Sequence, residues 1–220
     1  MLTGLIDVIG AGGPIIVVLL VLSFASIALI VVKTIQLWNC RSGAYRRSAA
    51  LQLWRSGRRN EARQRLAGGK SPADRVAAYA MDGFAAGLDR EALDAEVERR
   101  GNDEIERMMR HLRLLEVIAM ISPLLGLLGT VLGMIQSFQE LELAQGSANA
   151  SVLAGGIWQA LLTTAAGLIV AIPAAIAANL LAARVEGASH LIEDTVGQLF
   201  LIEDGGSPPK GRSQLAAGTG

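Results

Sequence analysis

Three stretches of the chain are apolar for long enough to cross a membrane, and polar segments separate them. They cover residues 14–32, 117–138 and 152–183. A hydrocarbon core about 30 Å thick requires about 20 apolar residues in a helix. The pattern predicts an all-α integral membrane protein with three transmembrane helices. The second and third of these are expected to extend into a cytoplasmic helical bundle.

The same pattern divides the chain into eight regions. A short periplasmic N-terminus covers residues 1–13, the first transmembrane helix 14–38, a cytoplasmic helical domain 39–113 and the second transmembrane helix 114–138. A periplasmic turn then covers 139–151, the third transmembrane helix 152–183, a cytoplasmic helix 184–204 and a disordered tail 205–220. Residues 1–13 contain no Lys or Arg, so the first apolar segment is predicted to be a retained anchor rather than a signal peptide.

Charge predicts the orientation of these helices. The chain has 20 basic and 20 acidic residues, but no Lys or Arg precedes Lys33 and none lies between residues 139 and 151. Most basic residues fall between the first and second apolar segments, and the positive-inside rule places that loop in the cytoplasm. The N-terminus is therefore expected outside and the C-terminus inside.

The cytoplasmic loop is predicted to be helical, with breaks at Gly57, at Gly68-Gly69 and near Gly87, and with a helix start at Ser71-Pro72. An apolar stripe of Leu93, Val97, Ile105, Met108, Leu112 and Leu115 then predicts one helix that continues unbroken into the second span. Gly101 is its one weak point. The arginines of residues 58–65 are predicted to form a solvated face near lipid, because interspersed acids and absent aromatics disfavour a nucleic-acid site.

Small and hydroxylated residues form one face of each later span. On the second they are Ser122, Gly126, Gly129, Gly133 and Ser137, and on the third Gly156, Gln159, Thr163, Ala166, Gly167, Val170, Ala174 and Ala177. Pro123 and Pro173 predict kinks. The glycines fit helix packing as well as a channel lining. The polar side chains of Thr130, Gln159, Thr163 and Thr164 favour a lumen, because a buried amide or hydroxyl needs hydrogen-bond partners.

Two runs of residues resemble the MotA/TolQ/ExbB proton-channel family. They are residues 123–133, Pro-Leu-Leu-Gly-Leu-Leu-Gly-Thr-Val-Leu-Gly, and residues 156–168, Gly-Ile-Trp-Gln-Ala-Leu-Leu-Thr-Thr-Ala-Ala-Gly-Leu. The segment Ala171-Ile172-Pro173-Ala174 adds to the likeness, which covers about residues 116–184. The three-span layout is more similar to the ExbB and TolQ branches than to MotA. The short N-terminus and the Leu-Leu-Gly-Leu-Leu-Gly run favour ExbB over TolQ.

The resemblance implies a homopentamer in the bacterial inner membrane that encloses the single spans of ExbD- or TolR-like partners. An aspartate of the partner carries the proton, and the movement drives a TonB- or TolA-like protein. The family's lumen threonines correspond to Thr130 and Thr164, whereas the helical wheel favours Thr163, and both remain open. Gln159 stands where better-known relatives have glutamate, so a side-chain proton carrier is expected to come from the partner.

Glu116 is the one carboxylate that borders either of these spans. It is expected to pair with Arg113 one turn earlier, and a cytoplasmic proton exit is the alternative. Membrane lipid is a further expected partner.

The leading hypothesis is a motor subunit that uses the proton-motive force to energise TonB-dependent outer-membrane transport. The alternatives are a TolQ-like subunit for envelope maintenance, a non-conducting membrane scaffold, and sodium instead of proton coupling. An enzyme is not expected, because both histidines lie outside the spans and the glycine run has no lysine to contact phosphates. No Cys/His cluster suggests a metal, and no cofactor is expected.

Overall fold

The computed structural model describes residues 2–143 and 150–205, with side chains at 13–142 and 154–205. It contains seven helices in this part of the chain: α1 Leu2–Leu37, α2 Ala44–Arg55, α3 Arg59–Leu66, α4 Pro72–Ala85, α5 Arg90–Met109, α6 Leu112–Leu143 and α7 Ala150–Glu203. Three stretches are long and apolar enough to cross a membrane, and they lie in α1, α6 and α7. The prediction of an all-α chain with three membrane-length helices is confirmed. The centre of the predicted outer turn and the tail after Gly205 lie outside the described residues.

The chain forms two compact units. The apolar unit consists of the residues up to Ile35 together with His111–Ala182, and the charged unit consists of Gln36–Arg110 together with the residues from Ala183 onward. In the apolar unit, many large side chains of α6 and α7 are exposed. Leu124, Leu161 and Ile172, for example, are 55–60% exposed. Exposed leucine and isoleucine suit a surface that lipid or other membrane helices cover.

The first apolar helix has a backbone break near its start. Gly13 has φ 60° and ψ −160°, so α1 comprises two helical segments that meet at this residue. A side chain would be strained in that conformation, and glycine adopts it without cost. Pro14 follows and has no N–H to donate.

The charged unit has an apolar core to which five helices contribute. Its largest members include Trp54 of α2, Met81 of α4, Leu93 of α5, and Leu199 and Phe200 of α7. The predicted breaks are confirmed, because Gly57, Gly68 and Gly87 have positive φ values of 70–80° between helices. The predicted helix start is also confirmed, since the Ser71 hydroxyl accepts a hydrogen bond of 3.1 Å from the Asp74 N–H.

A buried ion pair crosses this unit between α2 and α4. The Arg47 guanidinium lies 2.9 Å from the Asp74 carboxylate, and both side chains are at most 5% exposed. The same guanidinium donates to the Ser71 hydroxyl at 2.9 Å and to the Ser42 carbonyl at 2.6 Å. Gly69 fits closely beside Asp74, because a Cβ atom there would lie 2.6 Å from a carboxylate oxygen.

The end of α7 is attached to the same core by charged and aromatic contacts. The Glu203 carboxylate accepts from the Trp54 indole at 2.7 Å and from Arg59 at 3.0 Å. Arg90 lies 3.9 Å from the centre of the Phe200 ring. These contacts join residues that are more than 100 positions apart in the sequence.

The prediction that one helix continues unbroken into the second span is wrong. Helix α5 ends at Met109 and α6 begins at Leu112. Arg110 is extended, with ψ 131°, and His111 has the left-handed φ of 69°. A non-glycine residue with positive φ is uncommon, and neither glycine nor proline marks the position in the sequence. Gly101, the predicted weak point, lies inside α5 and is buried.

Candidate functional site

The small residues of α6 pack directly against α7. Ser122, Gly126 and Gly129 are buried, and Ser137 is 3% exposed. The α7 residues that they contact include Ala160, Thr163 and Gly167, all of which are buried. The predicted stripes therefore form one helix–helix contact within a single chain.

The glycines allow the two backbones to approach closely. A Cβ atom on Gly126 would lie 3.0 Å from the Thr163 carbonyl oxygen and from the Thr164 Cα atom. A Cβ atom on Gly167 would lie 3.2 Å from the Gly126 Cα atom, and one on Gly129 would lie 2.6 Å from the Thr163 Cβ atom. These spaces are too small for any side chain, which is how small residues bring membrane helices together.

The structure distinguishes the two adjacent threonines of α7. Thr163 is 2% exposed, and its hydroxyl lies 2.7 Å from the Ala160 carbonyl and 3.3 Å from the Gly126 carbonyl. Thr164 is only partly buried, and its hydroxyl donates to the Gly126 carbonyl at 3.2 Å. Both side chains thus converge on one carbonyl oxygen, but only Thr164 keeps an accessible surface.

Thr130 lies on the partly exposed side of α6. Its hydroxyl donates to the Leu127 carbonyl of its own helix at 2.7 Å. A hydroxyl has one proton to donate and two lone pairs that accept. Thr130 and Thr164 can therefore still accept hydrogen bonds from water or from another molecule.

Gln159 borders a cavity of about 100 Å³ within the apolar unit. Its side chain is half-buried and makes no hydrogen bond to the residues that the structure describes. The polar side chains of Gln136 and Thr163 line the same cavity, together with the Gly13-Pro14 break of α1. Such a volume can hold a few water molecules, since each occupies about 30 Å³ in the liquid. Sequence reasoning had missed Gln136, although it lies one position before Ser137 of the small-residue stripe.

No ionisable side chain lies in the apolar parts of this hairpin. Residues 117–139 and 154–183 contain no Asp, Glu, Lys, Arg or His. Glu116 is exposed at the edge of α6, and the predicted pairing with Arg113 is wrong, because the structure shows no ion pair between these two described residues. On an exposed surface such a pair contributes little, so solvation of both groups competes with it. Among the described residues, no group of three or more His, Cys, Asp and Glu side chains comes together.

Both prolines lie inside their helices. Pro123 is part of α6 and Pro173 is part of α7, and each helix continues beyond its proline. Proline cannot donate to the carbonyl four residues earlier, so the carbonyls of Ala119 and Ile169 lack that intrahelical partner. The kinks expected at these positions stay a prediction.

Comparisons with known proteins identify the family of the chain. The family model described as the MotA/TolQ/ExbB proton channel family matches residues 69–194, which is more than half of the chain. The chain is 46% identical over 94 residues to biopolymer transport protein exbB1 of Vibrio cholerae, a match that covers 43% of this chain and 41% of the relative. It is 40% identical over 100 residues to the putative biopolymer transport protein ExbB-like 3 of Synechocystis, covering 45% and 48% of the two chains.

A third relative comes from another branch. The Tol-Pal system protein TolQ of Haemophilus influenzae is 43% identical over 84 residues, which cover 38% of this chain and 36% of the relative. The match spans less than half of each relative's own length. The matched family segment includes α6, most of α7 and the glycine contact between them. The chain, a multi-pass membrane protein, therefore belongs to the MotA/TolQ/ExbB proton channel family.

Proposed function

We propose that this chain is the membrane subunit of a proton-driven motor that energises transport across the cell envelope. The observation that supports this most strongly is a hairpin with hydroxyl and amide side chains but no ionisable group in its apolar parts. The subunit supplies the lining, and a single-span partner of the ExbD or TolR type supplies the carboxylate. Several copies of the chain, five by likeness to the family, surround the partner's helices.

The proposed lining consists of Thr130, Gln159 and Thr164, which keep accessible surface in the chain. Thr163 is the proposed positioning residue, because its side chain fills the contact between α6 and α7. A charged carboxylate is costly in a medium of low dielectric constant, and a neutral one is not. Protonation of the partner would therefore allow its helix to move along the hydroxyl lining. Moving one charge through 100 mV supplies about 2.3 kcal/mol, so several steps must be coupled to do useful work.

In the proposed orientation the N-terminus is periplasmic and the charged unit is cytoplasmic. The distribution of Lys and Arg supports it, since none lies in the segment that joins α6 and α7. Protons would enter near that segment and leave near Glu116, which is exposed at the opposite end of α6.

Proton flux into liposomes tests the proposal. The chain alone should conduct few protons, and addition of the single-span partner should raise the flux. Thr164→Ala and Gln159→Ala should lower the flux of the complex while the oligomer keeps its size. Thr195→Ala is the control, because the Thr195 hydroxyl also donates to a backbone carbonyl, that of Leu191 in its own helix, but lies in the charged unit. Equal proton flux from the chain with and without its partner would refute the proposal that the partner supplies the proton-carrying carboxylate.

A non-conducting scaffold is the second candidate function. It is favoured by the burial of Thr163 and the glycines in a contact within one chain. If it is correct, the Thr164 and Gln159 variants should keep full envelope function, and only variants that open the hairpin should lose it.

Sodium is the alternative coupling ion. Activity that depends on sodium at a fixed proton-motive force would identify sodium instead of the proton as the coupling ion.

Sequence similarity does not assign this chain to the ExbB or the TolQ branch, because proteins of both names are similar to it. We infer an ExbB-like role with a TonB-like client. Restoration of iron-siderophore uptake in cells that lack their own ExbB would support it. Restoration of envelope integrity alone, in cells that lack TolQ, would instead support the TolQ-like role.

A further inference from the structure

A second cavity, of about 330 Å³, lies in the charged unit beside the end of α1. Leu37, Trp38, Cys40, Arg41 and Arg184 line it. The volume is within the range of small-molecule binding sites, which is about 300–1,000 Å³. Trp38 is 73% exposed, whereas Leu37 and Cys40 are at most 5% exposed. The cavity thus combines an apolar floor, an exposed indole and two guanidinium groups.

The position of these residues in the chain places the cavity at a membrane surface. Leu37 is the last residue of the apolar stretch in α1, and Trp38 follows it directly. Arg184 is the first charged residue after the apolar stretch of α7. Tryptophan is enriched where the hydrocarbon core meets the headgroups, and arginine is enriched on the cytoplasmic side.

The two guanidinium groups are held near one buried thiol. A Cβ atom on Gly187 would lie 3.4 Å from the Arg41 Nε atom, so the Arg41 side chain lies against α7 one turn after Arg184. The Cys40 Sγ atom lies 4.0 Å from the Arg184 carbonyl oxygen. Burial raises the pKa of the Cys40 thiol, while the charges of Arg184 and Arg41 act in the opposite direction. Two positive charges therefore lie around Cys40.

These arginines differ from most others in the charged unit because they have no acidic partner. Nine arginines of that unit form ion pairs with carboxylates, at positions 47, 58, 59, 63, 75, 90, 99, 100 and 107. Arg41 and Arg184 form none with the residues that the structure describes, and no carboxylate lines the cavity. Glu186 lies about 200° around α7 from Arg184, since each residue turns the helix by about 100°. The cavity thus offers positive charge that no carboxylate among the described residues neutralises.

We propose that this cavity binds the phosphate of an anionic phospholipid from the cytoplasmic leaflet. Arg41 and Arg184 contact the phosphate oxygens, which suit the fork of donors that each guanidinium presents. Trp38 and Leu37 contact the glycerol and the first carbons of the acyl chains. These apolar groups and the adjoining span favour a lipid over free phosphate. The site is separate from the proposed proton pathway, none of whose residues lines it.

Native mass spectrometry of the full chain in detergent tests the proposal, with phosphatidylglycerol and phosphatidylcholine of identical acyl chains. Each arginine near an anionic surface contributes about fivefold in affinity, so two should give a preference of roughly thirtyfold for phosphatidylglycerol. The double variant R41Q/R184Q should lose nearly all of this preference. The matched control is R110Q/R113Q, which removes two exposed, unpaired arginines beside the start of α6 and should keep it.

Three results would overturn the proposal. One is an unchanged lipid preference in R41Q/R184Q, and another is an equal loss in R110Q/R113Q, which would indicate diffuse attraction to the membrane. Displacement of the lipid by an excess of inorganic phosphate would indicate a soluble ligand instead. If R41Q/R184Q does not fold, cross-linking of the wild-type chain with a photoreactive phosphatidylglycerol tests the position of the site instead. Its label should fall on residues 37–41 or 184–187, and labelling only elsewhere would refute the site.

Discussion

Replacement of Gly129 by alanine should force α6 and α7 apart. The new Cβ atom would lie 2.6 Å from the Cβ atom of Thr163. Two carbon atoms pack best at about 3.5–4.0 Å, so one helix must move by about 1 Å. Rotation of the Thr163 side chain cannot relieve this contact, because its Cβ atom is fixed to the backbone. The helices themselves must therefore absorb the change.

The size of the effect follows from two opposing contributions. Overpacking of a close contact costs about 1–3 kcal/mol. Alanine also favours the helix over glycine by about 1 kcal/mol, which masks part of that cost. Gly155→Ala measures the helix-propensity gain alone, because no atom lies within 4 Å of a Cβ built on Gly155. We expect Gly129→Ala to be less stable than Gly155→Ala by about 1–3 kcal/mol.

Unfolding of the purified chain in mixed micelles, titrated with sodium dodecyl sulfate and followed by near-ultraviolet circular dichroism, measures the difference. Thr163→Gly removes the opposing Cβ atom, so it should rescue Gly129→Ala in a double-mutant cycle. Thr163→Ala keeps that atom and should not rescue. The reasoning is refuted if Gly129→Ala is as stable as Gly155→Ala, or if Thr163→Gly and Thr163→Ala behave alike in the cycle.

Three further predictions concern the charged unit. Asp74→Ala should lower the free energy of unfolding by about 3–5 kcal/mol, because it leaves the Arg47 charge buried without its carboxylate partner. Replacement of both Arg47 and Asp74 by apolar residues should largely restore the midpoint of thermal unfolding. The pKa of Glu96 is lowered to about 2, first by a hydrogen bond from Arg99, so the ionised Glu96 stabilises the fold above pH 4.5 and this stabilisation is lost as pH falls towards 2. An NMR titration of labelled glutamate carboxyls should measure this pKa. A midpoint near the ordinary value of 4.5 would contradict the pairing. Cys40 is the one thiol of the chain, and the rate of its alkylation should rise with a midpoint above pH 9.0 because burial raises its pKa. Arg184→Gln should raise this midpoint further, because it removes a positive charge that lowers the pKa. A lower midpoint in that variant would contradict the proximity of Arg184 to Cys40.

Much of the fold could be predicted because local chemistry determines it. Glycines that adopt positive φ, such as Gly57 and Gly87, mark the ends of helices in any sequence. The serine cap of α4 is equally local. The break at Arg110 and His111 is different, since no glycine or proline marks it and a non-glycine residue with positive φ is uncommon. A single sequence therefore does not display this break.

The candidate site shows the same division. Periodicity placed the glycines of α6 on one face, and the structure has that face buried. Periodicity favoured Thr163 for the lumen and the family resemblance favoured Thr164, since the two residues differ by about 100° around the helix. In the structure Thr163 is the enclosed residue of the two, and Gly129 lies directly against its side chain. The buried pair of Arg47 and Asp74 was missed because residues 27 positions apart carry no local signal of contact.

The shared core of the charged unit has a consequence for biosynthesis. The hairpin contact joins residues about 40 positions apart, such as Gly126 and Thr163, so it can form soon after both helices are made. Trp54, by contrast, needs Glu203, which is 149 positions later. Synthesis of the roughly 90 residues that follow Arg110 takes about 5–18 s at about 5–20 residues per second. During that interval α2–α5 lack the apolar surface of Leu199 and Phe200, so part of their core stays exposed until the end of α7 emerges.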